Sequence, residues 1–469
     1  MRKRLIVILA LVLVAGLTAA AYAEVQNVKV SGDITVLGAS RNLTLAGPKN
    51  TNDKSFIATI ARVKVDADLT DQVMATIRVL NERYWGNESE NGNTLVGETS
   101  ETNTNIVLDL ANVTLKEFLY SPLTLIVGRQ ELHFGNDMII GDPDTNNQTT
   151  IRSPFGATIG YGQRDADLTA RKAFDAIRAT LNYDPLVVDA IYAKVTTRNS
   201  QNIANDDTNI FGINANYKVD AKTTVEAYWF EKNVGKKAPS TSNPKKSDRV
   251  DTVGARGVVA ANENLIYQLE MAYQFGKKVD STKSYAEVAN RKAWALEAAA
   301  TYNFTKAKYT PSTTLLYAYF SGDHENNTYN TNNGTYKGWD PMFENQKFGD
   351  IANTQFDQTN AHILGGIGTL KPADDIILKA EYYAFWWAKA YPEGSSTATR
   401  RGDTVYFTQR RFVGQELDLT ATYNYTEDVQ FSLMGGWFVP GPSIDKEKTS
   451  TNQRTKLASE VIGCMKVTF

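Results

Sequence analysis

Leu457-Ala458-Ser459-Glu460-Val461-Ile462-Gly463-Cys464-Met465-Lys466-Val467-Thr468-Phe469 alternates with period two along its whole length. Leu457, Ser459, Val461, Gly463, Met465, Val467 and Phe469 fall on one face. Ala458, Glu460, Ile462, Cys464, Lys466 and Thr468 fall on the other. Successive side chains of a strand point to opposite sides, so this stretch reads as one long strand with an apolar face and a face carrying both charges.

The same rhythm recurs upstream. In 55–69, Ile57, Thr59, Ala61, Val63, Val65 and Ala67 oppose Arg62, Lys64, Asp66 and Asp68. In 264–276, Leu265, Tyr267, Leu269, Met271, Tyr273 and Phe275 oppose Gln268, Glu270 and Gln274. Eighteen such segments are read, from 25–38 to 456–469, and most are 10 to 14 residues long. That suffices to cross a bilayer when tilted and exceeds the usual globular strand of about 5–6 residues. Short connections such as Leu69-Thr70-Asp71, Asp184-Pro185 and Thr426-Glu427 alternate with long polar ones such as 133–171, 322–359 and 389–412. A soluble sandwich has no reason to keep its long loops at one end. The expected fold is therefore all-β: a single transmembrane antiparallel barrel of about 18 strands, of outer-membrane type. Aromatics at predicted strand ends, among them Tyr84-Trp85, Trp229, Trp294, Tyr302, Phe385-Trp386-Trp387, Tyr423, Tyr425 and Trp437, are expected to form interface girdles.

The N-terminus agrees. Arg2, Lys3 and Arg4 precede a short apolar run, and Ala21-Tyr22-Ala23 matches a small-x-small cleavage site. Residues 1–23 are expected to be a signal peptide and 24–469 the barrel. Removing 1–23 takes away three basic residues and no acidic one, which moves the formal net charge from −2 to −5. Bacterial outer membrane is the expected location, with its lipid around the wall. Phe469, on the apolar face of the last strand, resembles the C-terminal signal by which outer-membrane barrels are recognised for insertion, which implies the barrel-assembly machinery as a partner.

Composition narrows the chemistry. Fifty Lys and Arg against 52 Asp and Glu leave no excess for nucleic acid. One Cys, Cys464, permits neither an internal disulfide nor a Cys-based zinc site. His133, His324 and His362 are too scattered for metal spacing, and position 364 is Leu, so the His-x-Ser pattern of a barrel lipase is missing. No cofactor, metal or catalytic residue is expected. Asp142, Asp144, Asp206 and Asp207 lie in Asn-rich loops; their spacing does not match the Ca²⁺-loop template, and they read as solvated loop. The alternatives to a channel are an outer-membrane enzyme of lipase or acyltransferase type and an exported soluble carbohydrate-binding β-protein.

Charges on strands are the informative ones. By parity Arg62, Lys64, Arg78, Arg178, Arg256 and Lys379 oppose their apolar neighbours, as do Asp66, Glu226, Glu270, Glu297, Glu381, Glu416 and Glu460. In a barrel these line the lumen, because an Arg at the lipid midplane costs about 2–4 kcal/mol. The expectation is that the two signs neutralise one another along a wet, mixed wall. Arg129 and Glu131 lie at the end of their strand, and both are counted as pore-lining candidates.

The stretch Leu125-Ile126-Val127-Gly128-Arg129-Gln130-Glu131-Leu132-His133-Phe134-Gly135, with Ile139-Ile140-Gly141 after it, resembles the Gly-Arg-Gln-Glu-Leu segment of the alginate export family. The resemblance implies a barrel over the whole mature chain and a passage for small hydrophilic solutes, anionic sugars or polysaccharide. It also implies that Arg129 lies at or near a constriction, with Glu131 beside it. Loop 133–171, rich in Gly, is expected to fold inward and narrow the channel.

Overall fold

A computed structural model shows how the alternation is used. The structure describes residues 27–43, 45, 53–85, 106–145, 166–196, 207–235, 247–279, 288–323, 334–398, 404–444 and 457–469; the signal-peptide segment and His324 lie outside them. The strands are β1 (Asn27–Asn42), β2 (Asp53–Thr70), β3 (Val73–Tyr84), β4 (Val107–Leu115), β5 (Leu123–Gln130), β6 (Phe174–Asn182), β7 (Leu186–Thr196), β8 (Thr208–Lys218), β9 (Thr223–Val234), β10 (Asp248–Ala260), β11 (Leu265–Val279), β12 (Val288–Asn303), β13 (Ser312–Phe320), β14 (Thr335–Tyr336), β15 (Ala361–Ala373), β16 (Ile376–Trp387), β17 (Ser396–Ala398), β18 (Thr404–Tyr406), β19 (Phe412–Asn424), β20 (Val429–Pro440) and β21 (Ala458–Thr468). A short helix, α1, spans Asp350–Gln355.

Eighteen of these close a barrel. Each pairs antiparallel with its neighbour, β13 goes directly to β15 and β16 to β19, and β21 returns to β1 with Asp33 opposite Thr468 and Asn42 opposite Ser459. β14 lies parallel against β12, and β17 and β18 form a separate hairpin. All eighteen barrel strands coincide with segments expected from the alternation. The tight turns are built from side chains that mimic backbone: Asn262 Oδ1 accepts from the amides of Asn264 and Leu265, and Thr426 Oγ1 accepts from Val429.

Burial is inverted relative to a soluble sheet. Leu315 is 66% and Leu433 57% exposed on the outer wall, whereas Glu270 and Glu416 inside are fully buried. A continuous apolar exterior of this size has no place in water, and it disposes of the soluble-sandwich alternative. Trp294, Tyr302, Trp437 and Tyr425 are exposed toward the strand ends, as girdle residues should be. Phe385 and Trp387 are not. They share an inward parity, are nearly buried, and Trp387 packs edge-on against Phe356, Tyr391 and Phe407 inside the barrel. The girdle expectation fails for both because folded loop fills the lumen beside them, so an inward aromatic finds an apolar partner.

Candidate functional site: a lumen narrowed by inserted loops

The chain leaving β5 turns into the barrel. Leu132, Phe134, Met138, Ile139 and Ile140 are all buried, and the Asp137 amide donates to the Phe134 carbonyl to make the turn. Gly135 has φ +64°, and a Cβ there would stand 2.5 Å from Glu270 Oε1; only glycine fits. The insertion puts loop amides where water cannot serve them, so they need acceptors. Wall carboxylates supply these. The Gly135 amide donates to Glu226 Oε1 (2.9 Å), the Asn136 amide to Glu270 Oε2 (2.9 Å), and Asn136 Nδ2 to Glu297 Oε1 (2.7 Å). The expected inward fold of loop 133–171 is thus seen over 133–145.

A second insertion was not expected. The connection 322–359 read as polar loop, yet among its described residues Trp339, Met342, Phe343, Phe348 and Ile351 are buried. It docks on the first insertion by backbone bonds: Phe343 N–H to Ile139 O (3.1 Å), Gly141 N–H to Phe343 O (2.8 Å) and Asn345 N–H to Asp137 O (3.0 Å). Asp340 anchors it to the wall through Lys232 and Arg291. Burial would raise its pKa, but Lys232, Arg291 and Lys278 together hold it below the usual carboxylate range. Further on, α1 is seated on β19. The amides of Ile351 and Ala352 donate to the two oxygens of Glu416 (2.6 and 2.7 Å), and the Asp350 amide donates to Asp418 Oδ2 (3.1 Å). Sequence reasoning took the inward carboxylates for neutralisers of inward bases. Three of the seven, Glu226, Glu270 and Glu416, instead hold loop backbone amides, and Glu297 holds the side-chain amides of Asn136 and Gln346. Such charge-assisted hydrogen bonds are stronger than neutral ones. Asp66, Glu381 and Glu460 do pair with bases.

The base candidates divide by place. Arg62 pairs with Asp33 (2.8 Å), Lys64 with Asp66 (2.9 Å), and Arg78 with both Asp109 (2.5 Å) and Glu131 (2.6 Å). Lys64 stands directly opposite Arg78 in the register, a like-charge pair that these acids offset. Their side chains keep partial exposure to the lumen, 24% for Arg62, 36% for Lys64 and 14% for Arg78. Arg178 pairs with Asp189 and lies over the Phe134 ring at 5.4 Å, and Arg256 reaches Gln268 (2.8 Å) with Glu270 at 3.8 Å; both sit beneath the first insertion. Lys379 pairs with Glu381 (2.7 Å) on β16.

Arg129 is elsewhere. It is paired with Ala111 and Asp175, on the face that carries exposed Val127 and Ile177, and its Nη1 contacts Asp175 at 3.3 Å. That is the outer wall, near the strand end toward the long loops. Glu131 belongs to the inner set with Arg78, not to Arg129. The expectation came from the resemblance, and it does not hold because Arg129 is still in the strand, on its outer face, whereas the strand stops at Gln130 and the backbone turns inward immediately after it. The constriction role expected for Arg129 is therefore withdrawn.

Sequence reasoning missed several lumen charges because they lie in loops or at strand ends. Arg41 at the end of β1 bridges Glu460 (2.8 Å) and Asp167 (2.7 Å), and the Lys347 ammonium contacts Asp350. Asp142 and Asp144 are buried rather than solvated; Arg171 lies 3.9 Å from the first and Lys172 3.2 Å from the second. Asp207 pairs with Lys194, and Asp206 lies outside the described residues. Among the described residues no group of three or more His, Cys, Asp or Glu is spaced for a metal. His133 hydrogen-bonds Asp137 (3.1 Å), which raises its pKa above the usual imidazole range against the opposing effect of burial. His362 faces outward and bonds the Tyr317 hydroxyl (2.8 Å).

Comparison with known proteins agrees with this architecture. Residues 162–457 match the family model described as alginate export. No curated protein sequence matches the chain. Among solved structures, the chain resembles OccK8 (OprE) of Pseudomonas aeruginosa, with TM-score 0.56 and 9% identity over 95% of this chain and 98% of that one. OccAB1 of Acinetobacter baumannii gives 0.54 and 12% over 96% and 98%. OccK11 (OpdR) of Pseudomonas aeruginosa gives 0.53 and 11% over 95% and 97%. At these identities the likeness is one of fold.

Proposed function

Since the chain belongs to the alginate export family, we propose that it is an outer-membrane channel for passive passage of hydrophilic solutes, with anionic sugars as the favoured class. A barrel of this strand number leaves an aqueous path unless something fills it. Here two insertions fill part of the lumen and are held to the wall by carboxylates. The observation that carries the reading is the row Arg62, Lys64 and Arg78 on β2 and β3. It keeps partial exposure on the inner wall below the apolar cluster of Leu37, Ile60 and Leu80. Guanidinium donors fit carboxylates and sugar hydroxyls, and although Asp33, Asp66, Asp109 and Glu131 offset the charge of the row, its partly exposed donors offer hydrogen bonds to a passing solute. The reading assigns no covalent chemistry to the protein. Its two described histidines are engaged with Asp137 and Tyr317 rather than with a nucleophile.

Reversal potentials across a salt gradient test it. Refolded protein in planar bilayers should form channels, and Lys64→Gln with Arg78→Gln should move selectivity toward cations while the barrel still assembles. The shift should fade at high salt, since exposed charges are screened beyond about 8–10 Å at physiological ionic strength. Absence of channels, or unchanged selectivity at low salt, would overturn the reading.

A further inference from the structure

Charge on the outer wall of β9 to β12 is placed at one end only. The outward residues there share the parity of exposed Val225, Val253, Tyr273 and Trp294. On that face Arg249, Lys277 and Lys292 are all exposed, and each lies within five residues of the strand end that joins a long loop. The short-turn ends of the same four strands present Val225, Val259, Tyr267 and Tyr302 outward and no Lys or Arg.

The register gathers the three cations. Arg249 stands opposite Lys277, and Lys277 opposite Asn290; two residues further into the strands, Phe275 stands opposite Lys292. Lys277 thus has one cation directly across and another on its diagonal, and like charges directly opposite each other are destabilising. The acids at hand do not answer the lysines. Glu231 and Asp251 both bind Arg249 through its Nη2 (2.9 and 2.8 Å), and their side chains are 14% and 3% exposed against 48% for Arg249. Asp251 also accepts from Trp229 Nε1 (3.3 Å). Among the described residues the Lys277 ammonium donates only to Asn290 Oδ1 (2.5 Å), and the Lys292 side chain has no hydrogen bond or ion pair. Outward cations elsewhere on this rim do have an acid: Arg129 has Asp175, and Lys194 has Asp207.

The rows beneath the cations determine what covers them. Tyr273 stands opposite Trp294 on the same face, and below this pair the wall is bare Met271 and Leu269. An occupant must therefore place an anion against the cations and hydrocarbon against the wall, which is the chemistry of an anionic lipid. Long loops lie on the outer side of such barrels, so the leaflet is the outer one, whose lipid is a phosphorylated glycolipid. Ammonium groups and guanidinium donors both suit phosphate oxygens.

We infer that Arg249, Lys277 and Lys292 form a docking site for the phosphate of an outer-leaflet glycolipid, with its acyl chains along the wall of β10 to β12 below Tyr273 and Trp294. Arg249 is held in place by its two acids. Lys277 and Lys292 close on the phosphate oxygens, and the phosphate supplies the counter-charge that the protein lacks there. The inference rests on the orientation of the barrel in the membrane and not on solute passing through it.

Native mass spectrometry of the full-length protein, refolded in neutral detergent and titrated with lipid A carrying both phosphates, tests this. Wild type should bind, more weakly as salt rises, and should bind lipid A stripped of its phosphates far less. Lys277→Gln with Lys292→Gln should weaken binding about thirtyfold. Arg at both positions should restore it, and Lys222→Gln with Lys306→Gln at the short turns should leave it unchanged. Inorganic phosphate at matched concentration should not displace the lipid. Equal affinity in the double Gln variant, equal binding of the dephosphorylated lipid, displacement by inorganic phosphate, or phosphatidylglycerol bound as tightly as lipid A would each overturn the inference. The lipid comparisons use wild type alone, so they decide the matter whether or not the variants fold. A barrel that binds lipid A and conducts nothing sinks the channel reading alone; one that conducts and does not bind lipid A sinks the docking site alone.

Discussion

At the scale of single residues, side chains inside this barrel are defined by what the inserted backbone requires of them. Glu226, Glu270, Glu297 and Glu416 differ little in sequence from any inward acid, yet each is matched to a loop donor. Gly135 marks the other half of that match. Gly135→Ala places a Cβ 2.5 Å from Glu270 Oε1 on a backbone with positive φ, at a cost of about 1–3 kcal/mol. The expected outcome is a folded barrel whose Asn136 amide exchanges faster, by tenfold or more, with no loss of heated-detergent resistance. Equal exchange rates in the two proteins would remove the close fit argued for this turn. Inward direction was legible from parity for Arg62, Lys64, Arg78, Arg178, Arg256 and Lys379. The partner was not, because a loop donor far along the chain leaves no periodic trace near the acid it binds.

At the scale of elements, the strands were legible because lipid and lumen impose opposite chemistry on alternate residues. β11 shows this most plainly. Leu269 is 46% exposed on the wall, while Gln268 beside it accepts from Arg256 and lies 3.5 Å from Glu297. Leu269→Arg should cost about 2–4 kcal/mol if it lies near the midplane and cut refolding yield accordingly. Gln268→Arg loses the Arg256 bond but finds Glu297 within reach, so its yield should stay near wild type. Similar yields for both variants, measured by heat-shifted gel migration, would remove the basis of the inside–outside assignment. The insertions were only half legible. Gly-rich 133–171 suggested an inward path, but 322–359 looked like polar loop. Its apolar residues Trp339, Phe343 and Phe348 have no period and gain partners only once the barrel has brought distant walls together. The same holds for Phe385 and Trp387, whose position at a strand end suggested an interface; Trp387 instead meets the loop aromatics Phe356, Tyr391 and Phe407, and Phe385 meets the inward strand aromatics Tyr383 and Phe438.

At the scale of the whole molecule, closure decides whether any of this geometry exists. The seam lies between β1 and β21, and its last rung is Phe469. The Gly32 amide donates to the Phe469 carbonyl (2.8 Å), and the Phe469 amide donates back to the Gly32 carbonyl (3.0 Å). The ring lies over Gly32, where an added Cβ would come within 2.8 Å of its Cζ, and remains 58% exposed on the outer wall. Phe469→Ala preserves both backbone bonds and removes only the ring. Two roles for that ring then separate. If it merely packs on Gly32, purified protein should refold into micelles with a lower melting temperature, and assembly in cells should fall by no more than that loss of stability explains. If the ring is also read by the assembly machinery, refolding in micelles should proceed almost normally while the amount assembled in the outer membrane drops severalfold. We expect the second pattern, since an aromatic on the apolar face at the seam is presented outward, where a partner can reach it before the barrel closes. Equal loss in micelles and in cells would reduce Phe469 to a wall residue.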